Sequence, residues 1–348
     1  MGKSRNAAID IAKGIAILSI VFGHIGLLDA DGHNMLVPIV FQYHVPVFFI
    51  IAGYFLSTKR SFGSFVANRA RRLLVPYVVT CVAIGLALVI IRVASGQIHP
   101  PTIFTGFRNF GYAVIYGAGS KFATAPAPFD SAFIGALWFL WALFFGCIVM
   151  RLVLKTGKVA PFIIAALAIA AVISSDYIWL PLSIQSGMLG AAYMYVGYIM
   201  RKYDLFAWQI PPAALLALAA VFLVCYLNGI KANLVSASVS MGFVGFATSI
   251  CASVLIIGLS QLIDAHAPEK CKAVLLWFGK NSLLVLCVHL FFLDIGLHAM
   301  IIGLGITPDF NISRIVDMVV QIAAIVAFIS CFNKAKDALR ERSAKSGK

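Results

Sequence analysis

The sequence predicts an all-α fold, a polytopic integral membrane bundle of about ten transmembrane helices with both termini on the cytoplasmic side. Three observations predict it. Of 348 residues, 61% are hydrophobic and only 11% charged, and the mean hydropathy of +0.97 lies far above that of a soluble domain. The apolar residues are gathered into runs long enough to cross a bilayer. The lysines and arginines fall mostly on one side of the topology those runs define.

The runs are broken by Gly, Pro or clusters of charge and lie near 9–28, 36–57, 73–95, 133–154, 159–175, 182–200, 211–228, 240–263, 273–302 and 312–333. The hydrocarbon core asks for roughly 20 apolar residues per helix. The run at 273–302 exceeds that and could be a span followed by a separate interfacial piece. The first run has a basic start, but Asp10 and Lys13 interrupt it and no small-residue cleavage site follows, so an uncleaved helix is expected. With the N-terminus inside, 20 of the 27 basic residues face inward; Arg92, Arg108, Lys121, Lys231 and Arg314 face outward, and Lys13 and Lys280 lie in or beside spans. Such a bias places both termini in the cytoplasm of a multi-pass protein of the cell (plasma or inner) membrane.

The net charge of +14 is then spread over inner loops as a topology determinant. It does not form a nucleic-acid surface, and no nucleic-acid partner is expected. The chain divides into one transmembrane domain, 1–333, and a basic cytoplasmic tail, 334–348. The seven cysteines stand singly with no C-x-x-C spacing, as small buried hydrophobes do, and no metal site is expected. One connection is long: 96–132, rich in Gly, Pro and aromatics. It suits either an interfacial loop or a lid in which Phe107, Tyr112 and Tyr116 stack against sugar rings.

Ionisable groups inside apolar runs are costly and must find partners. Asp10 and Lys13, three apart in the first turns, share a helix face and suit an ion pair. His24 follows Lys13 by eleven residues, three turns and about 16 Å of rise, on the same face. The short turn to the second run makes the next helix an antiparallel neighbour, bringing His44 to a depth within a turn or two of His24. Two imidazoles then share one cavity, or each is satisfied by a backbone carbonyl. Arg69 and Arg72, one turn apart at the inner rim, present forked donors suited to phosphate. Asp294 with His298, and Arg314 with Asp317, read as interfacial ion pairs.

Taken together, Asp10, Lys13-x10-His24, the HVPVFFIIAGY run, the R-x-x-R at Arg69 and Arg72, the ALWFLWAL run around Trp138, and FGKNSLLVLCVH ending at His289 resemble the membrane acyltransferase-3 family. The subgroup it is most similar to contains fucose 4-O-acetylase-like and exopolysaccharide O-acyltransferases. The resemblance implies transfer of an acyl group, usually acetyl, from cytoplasmic acyl-CoA to a hydroxyl of a carbohydrate or cell-envelope glycan. It implies that His24 is the catalytic base, that Lys13 completes the family's R/K-x10-H signature and that Arg69 and Arg72 meet the donor nucleotide. Asp10 and Lys13 would form the inner mouth of a donor channel with His24 at its reactive end. His44, Trp138 and His289, with Asn281 and Ser282 of the last motif, are the candidate acceptor contacts. Lys13 departs from the commoner Arg, which weakens a forked role there. Some family members carry an additional esterase-like domain; here such a hand-over would need a separate extracytoplasmic protein. A proton- or solute-coupled transporter also buries His, Asp and Lys, but would show paired halves, and no internal repeat is visible.

Overall fold

A computed structural model describes residues 6–25, 37–96, 100–120, 133–205, 209–297 and 310–346. Its first helix, α1 (Ala7–Ile25), is apolar apart from Asp10, Lys13, Ser19 and His24. Ile11, Ala12, Ala16, Ile17 and Val21 are all buried. With apolar residues buried on more than one face, the helix sits in the middle. Around it follow α2 (Val37–Val40), α3 (His44–Tyr54), α4 (Phe62–Ala94), α5 (Pro100–Tyr116), α6 (Trp138–Val153), α7 (Ala160–Ser175) and α8 (Ile184–Lys202). Then come α9 (Pro212–Leu227), a two-residue hairpin β1 (Ala232–Asn233) and β2 (Ser238–Val239), α10 (Phe243–His266), α11 (Glu269–Lys280), α12 (Ser282–Asp294) and α13 (Phe310–Ser346). α1 packs against α3, α10, α11, α12 and α13, while α8 forms a second centre against α3, α6 and α7.

Each expected apolar run falls on a helix, but the lengths differ from a uniform set of ten spans. Among the described residues, five stretches are long and apolar enough to cross a membrane: Ala7–His24, Phe62–Ala94, Gly135–Ser175, Phe243–His266 and Phe310–Leu339. A sixth arises if α11 and α12, which meet at 75°, count as one span. The 273–302 run is therefore broken at Asn281. The stretch Gly135–Ser175 is itself interrupted at Gly157, whose φ of +62° ends one helix and lets α7 begin. The run expected from 73 is part of the longer helix α4, which begins at Phe62 and holds Pro76 inside it. The 96–132 connection contains a 17-residue helix, α5. The basic residues from Lys334 to Lys345 continue α13.

The surface carries apolar belts: Val75, Val78, Val79, Val82, Leu86 and Ile90 on α4, Phe162, Ile169 and Ile173 on α7, and Leu216, Leu223 and Val224 on α9 are all more than half exposed or nearly so. Water would not tolerate such continuous exposure; a lipid solvent requires it. Inside, helices meet where side chains are absent. A Cβ on Gly197 would collide with the Ile50 carbonyl and one on Gly53 with the Met194 carbonyl, so α3 and α8 touch backbone to backbone. Gly14 against Leu275, and Gly279 against the Asp10 carbonyl, do the same for α1 and α11. At the end of the bundle holding Tyr54, buried Arg151 donates from Nη2 to the carbonyls of Thr58 and Arg60, both at 2.8 Å. Arg201 Nη1 donates to the Tyr54 carbonyl at 3.1 Å. Basic residues whose position was read as topology alone thus tie down the α3–α4 connection.

Because Gly197 faces backbone, Gly197→Val is expected to destabilise the bundle by about 2 kcal/mol or more through overpacking. Gly63, with nothing within 4 Å of a Cβ, should gain stability on change to Ala, by about 0.5–1 kcal/mol of helix propensity. Thermal unfolding midpoints in detergent measure both; equal midpoints for Gly197→Val and wild type would refute the close contact.

Candidate functional site

His24 occupies the last turn of α1 and His44 the first position of α3, and α2 with the Phe41–Tyr43 turn brings them to a common space. Both rings line a cavity of about 300 Å³ together with Trp138, Phe41, Gly119, Ser120 and Asn233. Trp138 reaches it from the start of α6, behind a 3-10 turn at Gly135–Leu137 whose Gly135 takes a φ of +52°. Phe41 stands beside both imidazoles, its ring centroid 6.1 Å from His24 and 4.7 Å from His44. The expected sharing of one cavity by two histidines is thus what the fold produces.

Hydrogen bonds assign the tautomers. His24 Nδ1 lies 2.8 Å from the Ile20 carbonyl and His44 Nδ1 2.7 Å from the Val40 carbonyl. A carbonyl can only accept, so both Nδ1 atoms carry the proton. Neutral imidazole then keeps its lone pair on Nε2, free to accept a proton from whatever enters the cavity. Behind His24 stands His289, with ring centroids 5.4 Å apart and His289 Nε2 3.4 Å from His24 Nδ1. His289 is buried and does not belong to the cavity wall. Its Nδ1 is 2.7 Å from Gln321 Oε1, and Gln321 Nε2 donates to Asp317 Oδ1 at 2.9 Å. The carboxylate fixes the amide's orientation, the amide oxygen then requires a proton on His289 Nδ1, and His289 Nε2 is left as an acceptor facing His24. Asp317, Gln321, His289 and His24 form one directed chain across three helices.

Gln321 was not among the candidates, and Asp317 was read only as a partner of Arg314. The structure pairs Asp317 with Gln321 and lays the Arg314 guanidinium over the Phe310 ring at 5.0 Å. A signal was present: two polar residues four apart within an apolar run share one helix face and need a partner. His298 lies outside the described residues; Asp294 packs against Gly135.

Other candidates are placed elsewhere. Lys13 Nζ pairs with Asp10 at 3.3 Å, with Asp10 buried. Between that pair and His24, Ala16, Ile17 and Ile20 are packed into the core, and neither Lys13, Arg69 nor Arg72 lines the His24 cavity. The expected open stripe from Lys13 to His24 is closed by packing. Arg69 is half-buried over the Phe65 ring at 5.4 Å, and Arg72 is exposed. Asn281 sits at the α11–α12 bend, donating to the Trp277 carbonyl at 2.9 Å and accepting from Asn333 at 3.4 Å; Ser282 opens α12 beside it. The bend sets Asn281 apart from α12, whereas Ser282 shares that helix with His289, two turns further on. Of the long connection, Gly119 and Ser120 reach the cavity, whereas Phe107 lines a small recess by Arg92 between α4 and α5.

Comparison with known proteins shows the family. The acyltransferase-3 family model, described as "Acyltransferase domain", matches residues 6–332. Nodulation protein NolL of Mesorhizobium japonicum is 27% identical over 176 residues, 48% of this chain and 41% of that protein. Nodulation protein NolL of Sinorhizobium fredii is 25% identical over 175 residues, with the same shares. The match therefore spans about two fifths of the length of these curated relatives. No solved structure matches the chain.

In histidine-selective ¹⁵N spectra, His24 and His44 are expected as Nδ1–H tautomers with unprotonated Nε2, and Gln321→Leu should release His289 into a mixture while leaving His44 unchanged. A proton on His24 Nε2 in the neutral ring would contradict the assignment.

Proposed function

The chain belongs to the acyltransferase-3 family, and on that premise we propose that it is a membrane O-acyltransferase that moves an acyl group, acetyl in the simplest case, from acyl-CoA to a hydroxyl of a carbohydrate or cell-envelope glycan. The observation that carries this reading is the unshared lone pair on His24 Nε2 at the wall of a cavity, with the other ring nitrogen tied to backbone.

Acyl transfer needs a base for the hydroxyl proton and support for the charge that develops. The acceptor oxygen attacks the thioester carbonyl carbon while its proton passes to His24 Nε2. The resulting imidazolium still donates from Nδ1 to the Ile20 carbonyl and faces the lone pair of His289 Nε2. That nitrogen is made electron-rich by the hydrogen bond its own Nδ1–H gives toward Gln321 and, beyond it, Asp317. Collapse of the tetrahedral intermediate breaks the C–S bond, and the proton on Nε2 goes to the departing thiolate. An ester and free CoA result, with no net proton change. His44, whose Nε2 is also unshared, and Trp138 shape the space around the reacting hydroxyl.

The donor's nucleotide phosphates belong at the basic end of the bundle, with Arg69, Arg72 and Lys13, the last held by Asp10. We place that end, and both termini, in the cytoplasm of the cell membrane. The rise from Lys13 to His24, about 16 Å, is matched by an extended pantetheine arm. Because Ala16, Ile17 and Ile20 are packed between them, the arm must part α1 from a neighbour to arrive.

His24→Ala is expected to lower CoA-dependent transfer by about 10³-fold, within the span of a lost general base, while leaving the unfolding midpoint near wild type. Arg69→Ala should raise KM for acyl-CoA by about tenfold with kcat kept, as loss of a phosphate contact does. Free-thiol release and acylated product, measured with purified protein in detergent, report both; full transfer by His24→Ala would remove the proposed base.

A further inference from the structure

The cavity at His24 shares a wall with a larger one. Between Pro38 and Gln42 on one side, and the end of α9 with β1 on the other, lies a space of about 540 Å³ bordered by Tyr226, Lys231 and Asn233. Phe41 and Asn233 belong to both cavities. Its volume falls among those of small-ligand pockets. Its chemistry contrasts with the wholly aliphatic and aromatic groove between α7, α8 and α10, which suits lipid tails.

Three groups in this wall ask for a polar occupant. Gln42 is only 4% exposed; its Nε2 approaches the Pro38 carbonyl at 3.5 Å, and its Oε1 has no hydrogen-bond partner. A buried amide oxygen of that kind requires an O–H or N–H donor. Asn233 accepts the Val235 N–H on Oδ1 at 3.2 Å, which commits its oxygen and leaves the Nδ2 donors for a ligand. Lys231 adds an exposed ammonium at the rim. An acceptor for hydroxyls, two amide donors and the rings of Phe41 and Tyr226 together fit the mixed polar and C–H faces of a sugar ring.

Position adds to composition. His44 opens α3 at this end of the bundle, whereas Tyr54, at the far end of α3, meets Arg201 among the basic residues. An occupant of this cavity therefore approaches the two imidazoles from the side away from Arg69 and Arg72.

We infer that the cavity between Gln42 and Asn233 is the acceptor subsite and takes a sugar residue of a glycan. Gln42 turns its covered, unpartnered Oε1 to one of the sugar's hydroxyls, and Phe41 with Asn233 passes the reacting hydroxyl to His24 Nε2. The inference rests on the acyltransferase reading above. To test it, cells lacking the gene are complemented with wild type, Gln42→Leu or Asn233→Ala; base-labile acetate on the cell-envelope glycan is measured, and acetyl-CoA affinity is measured on each purified full-length protein. Acetate is expected to fall by about tenfold or more in both variants, as loss of a ligand hydrogen bond does, with acetyl-CoA affinity unchanged. Asn233 is exposed, so its variant folds even where Gln42→Leu does not. Wild-type acetate in Asn233→Ala, or acetyl-CoA affinity falling in parallel with acetate, overturns the inference. Equal acetate with and without the gene defeats the acyltransferase reading itself, and the subsite with it.

Discussion

The hydrogen bond from His24 Nδ1 to the Ile20 carbonyl governs the chemistry of this molecule. In a hydrocarbon layer a polar group has no water to turn to, so each must be satisfied by the protein or be left reactive. One nitrogen of His24 is satisfied by its own helix. The other is left at a cavity wall, and its basicity, orientation and access all follow from that division. His44 repeats the arrangement one helix away, with Val40 in the part of Ile20. The repetition shows how a helical turn can dispose of half an imidazole: the ring takes the second lone pair of an i−4 carbonyl, and the Val40 carbonyl also accepts the Tyr43 N–H at 3.3 Å.

The rest of the bundle holds these two turns still. α1 is buried on several faces, and close glycine contacts to α11 fix its rotation and depth. α3 is fixed in the same way against α8, and its far end is held by Arg151 and Arg201 through backbone carbonyls. Backbone-to-backbone contact leaves no side chain to repack, so neither helix can slide by a fraction of a turn without collision. The precision that a reacting pair of atoms needs is thus obtained from the smallest residues in the chain.

Much of this is legible in the sequence, and the reasons for the rest are physical. Composition and run length report lipid exposure directly, so the all-α membrane class follows from them. Eleven residues between Lys13 and His24, and a short turn before His44, are local facts of helix geometry, so the pairing of His24 with His44 could be anticipated. What lay hidden was long-range. Nothing in the spacing of FGKNSLLVLCVH says that the chain bends by 75° at Asn281, between α11 and the helix that carries His289. Nor does local spacing show that Asp317 accepts a hydrogen bond from Gln321, four residues on, whose oxygen meets His289 on another helix. The open shaft expected between Lys13 and His24 failed for a similar reason, because a shared helix face says nothing of what neighbouring helices pack onto it.

The chain of contacts from His24 through His289 to Gln321 and Asp317 joins the first helix to the last. During biosynthesis His24 enters the bilayer hundreds of residues before its supporting carboxylate has been translated. A nascent polypeptide therefore holds a lone imidazole with nothing behind it, and the complete relay comes into being only when the final segment docks. Premature termination anywhere upstream of Asp317 leaves His24 without the amide and carboxylate that complete this chain of contacts.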